Sequence, residues 1–600
     1  MSDAETPDQG CRNLRWALAL LDGLVRGGLQ QLVLSPGSRS TPLVLAAQRC
    51  TGLKLTPILD ERSAAFFALG LAEASGHPVG LLCTSGSAPA HWLPAVIEAS
   101  ESGVPLILLS ADRPPDLRGW GANQTIDQSR LFGAFAREFH DPGPARDGAD
   151  ARKAIRALGV RVALMSQGPW PGPVHVNLPF REPLVPGTDC AADPEKPPDP
   201  SQARDPARFG SGSPALSRST RGLPVRPRDL SILLQGRGII CCGPSRLLAG
   251  SSAAIQRCAD MLGAPVLADP LSGLRFGAAP ENRITRYDSL LRNLEAATAL
   301  KPDWVLRFGG TPVSKALQEW LNGVPAILVD PGARWNDPSH DVWMQVIAEP
   351  ETLCDWLPGL GARRSPTAET DPAWLGRWKA AELHLDRLAT AFLEQAGWCE
   401  GHLIVRLLDR LPAGDGLFCA NSLPIRQLDT WSGQGETPLR FFGHRGASGI
   451  DGQTSTLAGL NAGRTTPAQG VTGLLGDLSF LHDLSGLMLM DRLDRPCVVL
   501  NNGGGRIFDY LPQRGLADFE RLWRTPPRVE LGSLTRSFGI RHRSVDDPLG
   551  FEQALDEAIH TGVQGHHAGV IEVRLDAELS RRVHRGFWQC VREQSIIESL

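Results

Sequence analysis

Two short stretches in the last third of the chain carry the side chains best suited to chemistry. Gly476-Asp477-Leu478-Ser479 and Asn501-Asn502-Gly503-Gly504-Gly505 each follow an apolar run of strand character. Adjacent parallel strands would bring the two ends together. A carboxylate, an amide oxygen and a backbone carbonyl would then form part of an octahedral oxygen shell for Mg2+, with room left for diphosphate oxygens. Helix N-termini and glycine-flanked amides favour the same anion. The plainer reading is that Asp477 caps a helix and Asn-Asn-Gly is a turn.

The pair resembles the diphosphate and metal motif of thiamin-diphosphate enzymes, which reads Gly-Asp-Gly and ends in Asn-Asn; Leu478 stands where the third glycine is usual. The resemblance implies Asp477 and Asn502 as side-chain ligands of Mg2+ or Mn2+, Gly504 as a carbonyl ligand, and Gly476 and Leu478 beside the cofactor. It also implies a carboxyl group at the aminopyrimidine ring to activate the cofactor, and Glu61 is the candidate. In that family the glutamate reaches across a subunit interface, so a homodimer, or a homotetramer, with its active sites between subunits is expected. The alternative for Glu61 is a first-turn carboxylate facing the helix dipole, worth about 0.3 to 1 kcal/mol. Ile450 resembles the bulky apolar residue that supports the bent cofactor; the alternative is an ordinary core isoleucine.

The elements that must position these residues follow a β/α rhythm. Strand-like runs at 31–35, 53–59, 79–83 and 106–110 each lead through a loop into a helical stretch, which predicts a parallel, doubly wound sheet. A buried helix is expected over 64–72, ended by Gly76, with Glu61 at the handover from strand to helix. Residues 186–230, rich in Pro, Ser, Asp and Arg, read as a flexible linker. Further strand candidates fall at 238–242, 265–268, 304–308 and 326–329, then at 417–420, 439–442, 471–475 and 497–500. The fold class is therefore α/β with three doubly wound parallel-sheet domains. Three such units are expected, over 1–185, 231–365 and 396–600, with 366–395 a connecting segment; the resemblance implies that the first is a pyrimidine-binding domain, the second a central domain and the last a diphosphate-binding domain. The first and last share the same rhythm.

The loops beyond these strands narrow the family. Ser35-Pro36-Gly37-Ser38-Arg39-Ser40-Thr41-Pro42, Asp60-Glu61-Arg62, Thr84-Ser85-Gly86-Ser87, Ala111-Asp112-Arg113-Pro114-Pro115 and Gly121-Ala122-Asn123-Gln124 occur in one order. Asn421-Ser422-Leu423-Pro424-Ile425-Arg426 and Arg445-Gly446-Ala447-Ser448-Gly449-Ile450-Asp451-Gly452 follow. Together they resemble the 2-succinyl-5-enolpyruvyl-6-hydroxy-3-cyclohexene-1-carboxylate synthase (MenD) family of menaquinone and phylloquinone synthesis. The resemblance implies thiamin-diphosphate-dependent decarboxylation of 2-oxoglutarate and conjugate addition of the four-carbon carbanion to isochorismate. Both substrates are dicarboxylates, which planar guanidinium groups bind bidentately. By motif, Ser38, Arg39, Arg113 and Gln124 would hold isochorismate, while Ser422, Arg426 and Arg445 would bind substrate carboxylates, that of the succinyl moiety included. Lys315 would add a cation from the central domain. For each arginine taken singly, a solvated surface charge is the alternative.

Bulk properties agree with an enzyme of small molecules. A net charge of −4 supplies no field for a nucleic-acid backbone, and 42% hydrophobic with 21% charged residues is ordinary for a folded protein. No apolar run approaches the length of a membrane span, and the acidic N-terminus lacks the pattern of a signal peptide, so a cytoplasmic protein is expected. Twelve scattered cysteines without a C-x-x-C suggest reduced thiols and neither zinc nor a disulfide framework. His77, His91, His566 and His567 form no metal-ligand pattern and receive no role. Gly309-Gly310 lacks a G-x-G-x-x-G, so flavin binding is not expected. Two rival functions stay open: another thiamin-diphosphate enzyme, such as a 2-oxo acid decarboxylase or acetolactate-type synthase, and a non-catalytic cofactor-binding protein of the same fold.

Overall fold

The computed structural model describes residues 8–187, 190, 230, 235–246, 250–278, 280–357, 371, 373–464, 466 and 468–596. Most of the expected linker over 186–230 and the first part of the connecting segment lie outside the described residues.

Three six-stranded sheets, parallel throughout, form the frame. The first holds β1 (Gln31–Leu34), β2 (Lys54–Pro57), β3 (Val79–Cys83), β4 (Leu106–Asp112), β5 (Phe139–His140) and β6 (Val174–Pro179), in the order β2-β1-β3-β4-β6-β5. The second holds β7 (Gly238–Cys242), β8 (Val266–Ala268), β9 (Arg283–Ile284), β10 (Trp304–Phe308), β11 (Ala326–Val329) and β12 (Val342–Val346), in the order β12-β11-β10-β7-β8-β9. The third holds β13 (Gly416–Cys419), β14 (Arg440–Phe442), β15 (Val471–Gly476), β16 (Cys497–Asn501), β17 (His542–Val545) and β18 (Val570–Arg574), in the order β14-β13-β15-β16-β18-β17. The first and third sheets thus share one wiring, as their common rhythm implied. β3, β4, β7 and β10 are buried along their whole length, as strands covered by helices on both faces must be.

The described residues fall into two compact units, one within 1–219 and 446–465, the other within 220–445 and 466–600. In the first unit, helix Glu61–Ser75 begins on the cap Asp60, whose carboxylate accepts the amides of Arg62 and Ser63, and ends on Gly76 at φ 73°. It packs against helix Gln453–Ala462. Gly70 and Gly459 let the two backbones meet: a Cβ on either would stand 2.2 Å from the Thr456 carbonyl oxygen or 2.0 Å from that of Phe67.

One expectation is corrected. Cys11 and Cys190 are joined as a disulfide, with Cα atoms 5.6 Å apart. The chain after β6 runs back along the first helix, Gln9–Arg26, where Asn13 Nδ2 donates to the carbonyls of Arg181 and Pro183 at 2.7 and 3.1 Å. A separation of 179 residues hides this pairing from any spacing rule.

Candidate active site

In the first unit, the loops that leave β1, β2 and β3 converge on a cavity of about 280 Å3. Gly37, Ser38, Glu61, Thr84, Ser87, His91 and Gln124 are among the residues that line it. Glu61 opens its helix here, and no described residue donates a hydrogen bond to its carboxylate. Gly37 passes so close to Thr84 that a Cβ would lie 2.4 Å from the Thr84 Cβ. Gln124, at φ 54°, donates from Nε2 to the Ser85 carbonyl and accepts the Ser85 hydroxyl on its own carbonyl, both at 3.0 Å. Arg113 Nη1 donates to the Gln124 carbonyl at 2.7 Å and to Ser85 Oγ. Burial, and then the neighbouring Arg39 guanidinium, lower the Arg113 pKa against the pull of Asp112 and Glu182. Two like charges held this close suit an anion between or beside them. Arg39 itself is turned inward: Nη1 donates to the Phe180 carbonyl at 3.0 Å and Nη2 pairs with Glu182 at 2.8 Å.

Behind the cavity runs a polar network that motif reading missed. Gln128 is buried; its Oε1 accepts the Gly86 amide at 2.9 Å and its Nε2 donates to Asn177 Oδ1 at 2.8 Å. Asn177 donates to Asp112 Oδ2 at 2.9 Å and accepts the Ser110 hydroxyl at 3.0 Å, and Ser110 Oγ meets His175 Nε2 at 2.7 Å. Burial pushes the His175 pKa down to about 3, so the ring is neutral. His91 was also given no role, yet it shares the cavity with Glu61.

Ile450 is half-buried in the same unit, just ahead of helix Gln453–Ala462. That helix runs alongside Glu61–Ser75 in the same direction, Gly452 against Phe66 and Gly463 against Leu71. Ile450 and Glu61 therefore stand at the same end of the helix pair.

In the second unit, β15 and β16 are neighbours with Gly476 opposite Leu500, so Asp477 and Asn502 leave adjacent strand ends. Asp477 is buried. Its Oδ1 accepts the Leu478 amide at 2.7 Å, and its Oδ2 accepts the amides of Gly503 and Gly504 at 3.0 and 2.7 Å. A carboxylate offers about four acceptor directions, so one remains, on Oδ1. Burial raises the Asp477 pKa to about 6 in spite of these amides. Asn502 turns its Nδ2 to Glu400 Oε1 at 3.3 Å, and no described residue donates to its amide oxygen. The Gly504 carbonyl accepts the Arg506 amide at 2.7 Å and keeps a second lone pair. Among the described residues no group of three or more His, Cys, Asp or Glu has metal-binding geometry. A cation here would rest on Asp477, Asn502 and the Gly504 carbonyl, an all-oxygen set that suits a hard divalent ion. Asp477 is the first residue of helix Asp477–His482, after the cap position Gly476, so it does not cap that helix; its carboxylate instead ties the Gly503 and Gly504 amides and keeps acceptor capacity on Oδ1.

The same unit gathers the remaining arginines. Ser422, at φ 71°, precedes helix Leu423–Trp431, and Arg426 Nη1 folds back onto its carbonyl. Asn421 bridges the loop after β14: its Oδ1 accepts Arg445 Nη1 at 3.0 Å, and its Nδ2 donates to the His444 carbonyl at 2.7 Å. Arg445 Nε is buried and has no partner among the described residues. Crowding by protein, and then the Arg445 charge, lower the Arg426 pKa, while Asp288 opposes. An unpaired buried donor beside two guanidiniums is the setting in which a substrate carboxylate gains most. Lys315 stands apart in character: it is 84% exposed and pairs with Glu319 at 3.3 Å.

Comparison with known proteins adds an independent line. Residues 15–131 match the family model described as thiamine pyrophosphate enzyme, N-terminal TPP binding domain, and residues 215–419 that described as middle domain of thiamine pyrophosphate. A 2-succinyl-5-enolpyruvyl-6-hydroxy-3-cyclohexene-1-carboxylate synthase of Geobacillus kaustophilus is 40% identical over 590 residues, 96% of this chain and 97% of its own. The synthase of Dechloromonas aromatica is 40% identical over 94% and 99% of the two chains. That of Myxococcus xanthus is 38% identical over 96% of each.

Proposed function

The chain belongs to the 2-succinyl-5-enolpyruvyl-6-hydroxy-3-cyclohexene-1-carboxylate synthase family, and from that premise we propose its reaction and the residues that perform it. It is a thiamin-diphosphate-dependent transferase: 2-oxoglutarate loses carbon dioxide, and the remaining four-carbon unit adds to isochorismate on the route to menaquinone or phylloquinone. Bound thiamin diphosphate supplies the electron sink for both steps. The observation that carries the residue assignments is the cavity of the first unit, where Glu61 shares one wall with Ser38 and Gln124.

Glu61 holds a proton at the aminopyrimidine ring and so governs activation of C2. Ile450, at the same end of the helix pair as Glu61, would pack against the bound cofactor. Asp477, Asn502 and the Gly504 carbonyl hold Mg2+, or Mn2+ in its place, and Gly476 and Leu478 border the diphosphate. Ser38, Arg39, Arg113 and Gln124 bind isochorismate. Ser422, Arg426 and Arg445 take the carboxylates of 2-oxoglutarate, and Lys315 adds a further cation. The protein contributes placement and charge complementarity, and no acid-base histidine is required. The active assembly is a homodimer or homotetramer with its sites between subunits, acting in the cytoplasm, and each chain divides into 1–185, 231–365 and 396–600 as pyrimidine-binding, central and diphosphate-binding domains, joined by 186–230 and 366–395. Among the described residues no helix is long and apolar enough to cross a membrane.

Incubation of purified protein with 2-oxoglutarate, isochorismate, Mg2+ and thiamin diphosphate, followed by mass spectrometry, tests the reaction. Carbon dioxide without a coupled product would point to a simple decarboxylase, and cofactor retention without turnover to a binding protein. Glu61→Gln should retain cofactor and slow C2 proton exchange by at least about tenfold. Undiminished exchange would remove Glu61 from its role.

A further inference from the structure

Gln128 follows Gln124 by one short stretch of the first unit and is buried, 1% exposed. The two ends of its amide are assigned by their partners. Nε2 donates to Asn177 Oδ1 at 2.8 Å and to the Ala111 carbonyl at 3.2 Å, both acceptors, so Oε1 is the atom that takes the Gly86 amide at 2.9 Å. Asn177 is oriented in turn by acids. Its Nδ2 donates to Asp112 Oδ2 at 2.9 Å and to Asp141 Oδ2 at 3.2 Å, and an ionised carboxylate only accepts.

The Gly86 N–H and the Ser85 carbonyl belong to one peptide group, which is planar and turns as a unit. That carbonyl accepts Gln124 Nε2 at 3.0 Å and so decides which end of the Gln124 amide meets a ligand. Gly86 sits at φ 81°, and glycine takes either sign of φ about equally well, so the turn's own backbone leaves this peptide free to flip. A flip would carry the Gly86 N–H away from Gln128 Oε1 and the Ser85 carbonyl away from Gln124 together. We propose that Gln128 is a positioning residue for isochorismate: by gripping the 85–86 peptide it fixes the orientation in which Gln124 presents its amide to the cavity. This rests on the reading of Gln124 as an isochorismate ligand given above.

Gln128→Met fills much the same space without an acceptor for the Gly86 amide. In steady-state kinetics it should raise the KM for isochorismate by about tenfold and change kcat by less than about threefold, the pattern of lost uniform binding, with the KM for 2-oxoglutarate unchanged. Gln128→Glu keeps an oxygen for the Gly86 amide while giving up the amide donor to Asn177 and Ala111, and its KM for isochorismate should stay within about threefold of the parent. A residue that only braced the interior would suffer from this change as much as from methionine. Gln128→Asn withdraws the oxygen by about 1.5 Å, should match Gln128→Met, and carries the test if that variant does not fold. In a Gln124→Ala background neither Gln128→Met nor Gln128→Asn should raise the KM further. If Gln124→Ala alone leaves the KM for isochorismate unchanged, the reading of Gln124 fails first. If Gln124→Ala raises it but Gln128→Met and Gln128→Asn do not, or Gln128→Glu raises it as much as they do, or their effects add fully to that of Gln124→Ala, the positioning role of Gln128 is overturned and the reading of Gln124 stands.

Discussion

Alanine at position 504 should weaken thiamin diphosphate binding far more than alanine at 503. Both glycines have positive φ, 112° and 80°, and a side chain there costs on the order of 1 to 3 kcal/mol in backbone strain. Only Gly504 adds a collision. Its Cβ would stand 2.4 Å from the Arg524 carbonyl oxygen and 3.1 Å from the Pro526 Cα, whereas at 503 the nearest atom is the movable Arg506 Nη2 at 3.5 Å. Backbone cannot swing aside, so residue 504 or the 524–526 chain must shift. The 2.7 Å bond from the Gly504 amide to Asp477 Oδ2 is then stretched or lost. A hydrogen bond to a charged acceptor is worth about 1.5 to 3 kcal/mol, which corresponds to roughly a 10- to 100-fold loss of affinity at the site Asp477 organises. Gly503→Ala should lose less than about tenfold, since its strain is mostly repaid in folding stability rather than in Asp477 geometry. Titration of each variant with cofactor at fixed Mg2+, followed by tryptophan fluorescence or calorimetry alongside a thermal melt, reads both effects. Wild-type affinity in Gly504→Ala, or an equal loss in Gly503→Ala, would refute the link between the glycine turn, Asp477 and the cofactor.

Asp477→Ala leaves three backbone amides without their acceptor and should weaken both metal and cofactor retention at least about tenfold; persistence of both at parental affinity would end the metal assignment. Asn421→Ala frees Arg445 from its only side-chain restraint among the described residues and should raise the KM for 2-oxoglutarate about tenfold, measured in steady-state kinetics against an unchanged melting temperature. His175 binds its proton only near pH 3 when folded, but near 6.5 when unfolded, so its contribution to stability is complete above about pH 6.5 and drains away as pH falls toward 3. By pH 5 the loss is about 2 kcal/mol, and His175→Gln should lose visibly less stability than the parent between pH 7 and 5 in paired denaturant melts.

Legibility in the sequence followed polarity and distance. β3, β4, β7, β10 and β16 stand out as apolar runs because both their faces are covered. β6 is buried along its whole length and β18 in all but its last residue, yet neither reads as an apolar run, since His175 and Asn177 interrupt the first and Glu572 the second. Those polar groups are tolerated because partners satisfy them: Glu572 accepts from His542 and Asn501 at 3.0 and 2.6 Å. β5 and β9, two residues each, are too short to give any period. The placement of Asp477, Asn502 and Glu61 at strand ends was readable because each motif is local to one strand end. The polar groups behind the loops were not: Glu400 meets Asn502, and Gln128 accepts the Gly86 amide, across long stretches of chain. Arg39 shows the limit in the other direction. Its motif points to a ligand, while in the structure Nη1 and Nη2 meet Phe180 and Glu182 and Nε has no partner among the described residues.

The matching strand order of the outer sheets makes their loops equivalent slots. The connection after the first strand of each carries Ser38 in one and Ser422 in the other; after the second, Glu61 and Arg445; after the third, the Thr84 turn and Asp477; after the fourth, Arg113 and Asn502. The second slot thus carries an acid in one sheet and a base in the other, while the first carries a serine in both. The chemistry at each sheet's edge rests on a handful of loop side chains, and changing them leaves the hydrophobic interior alone.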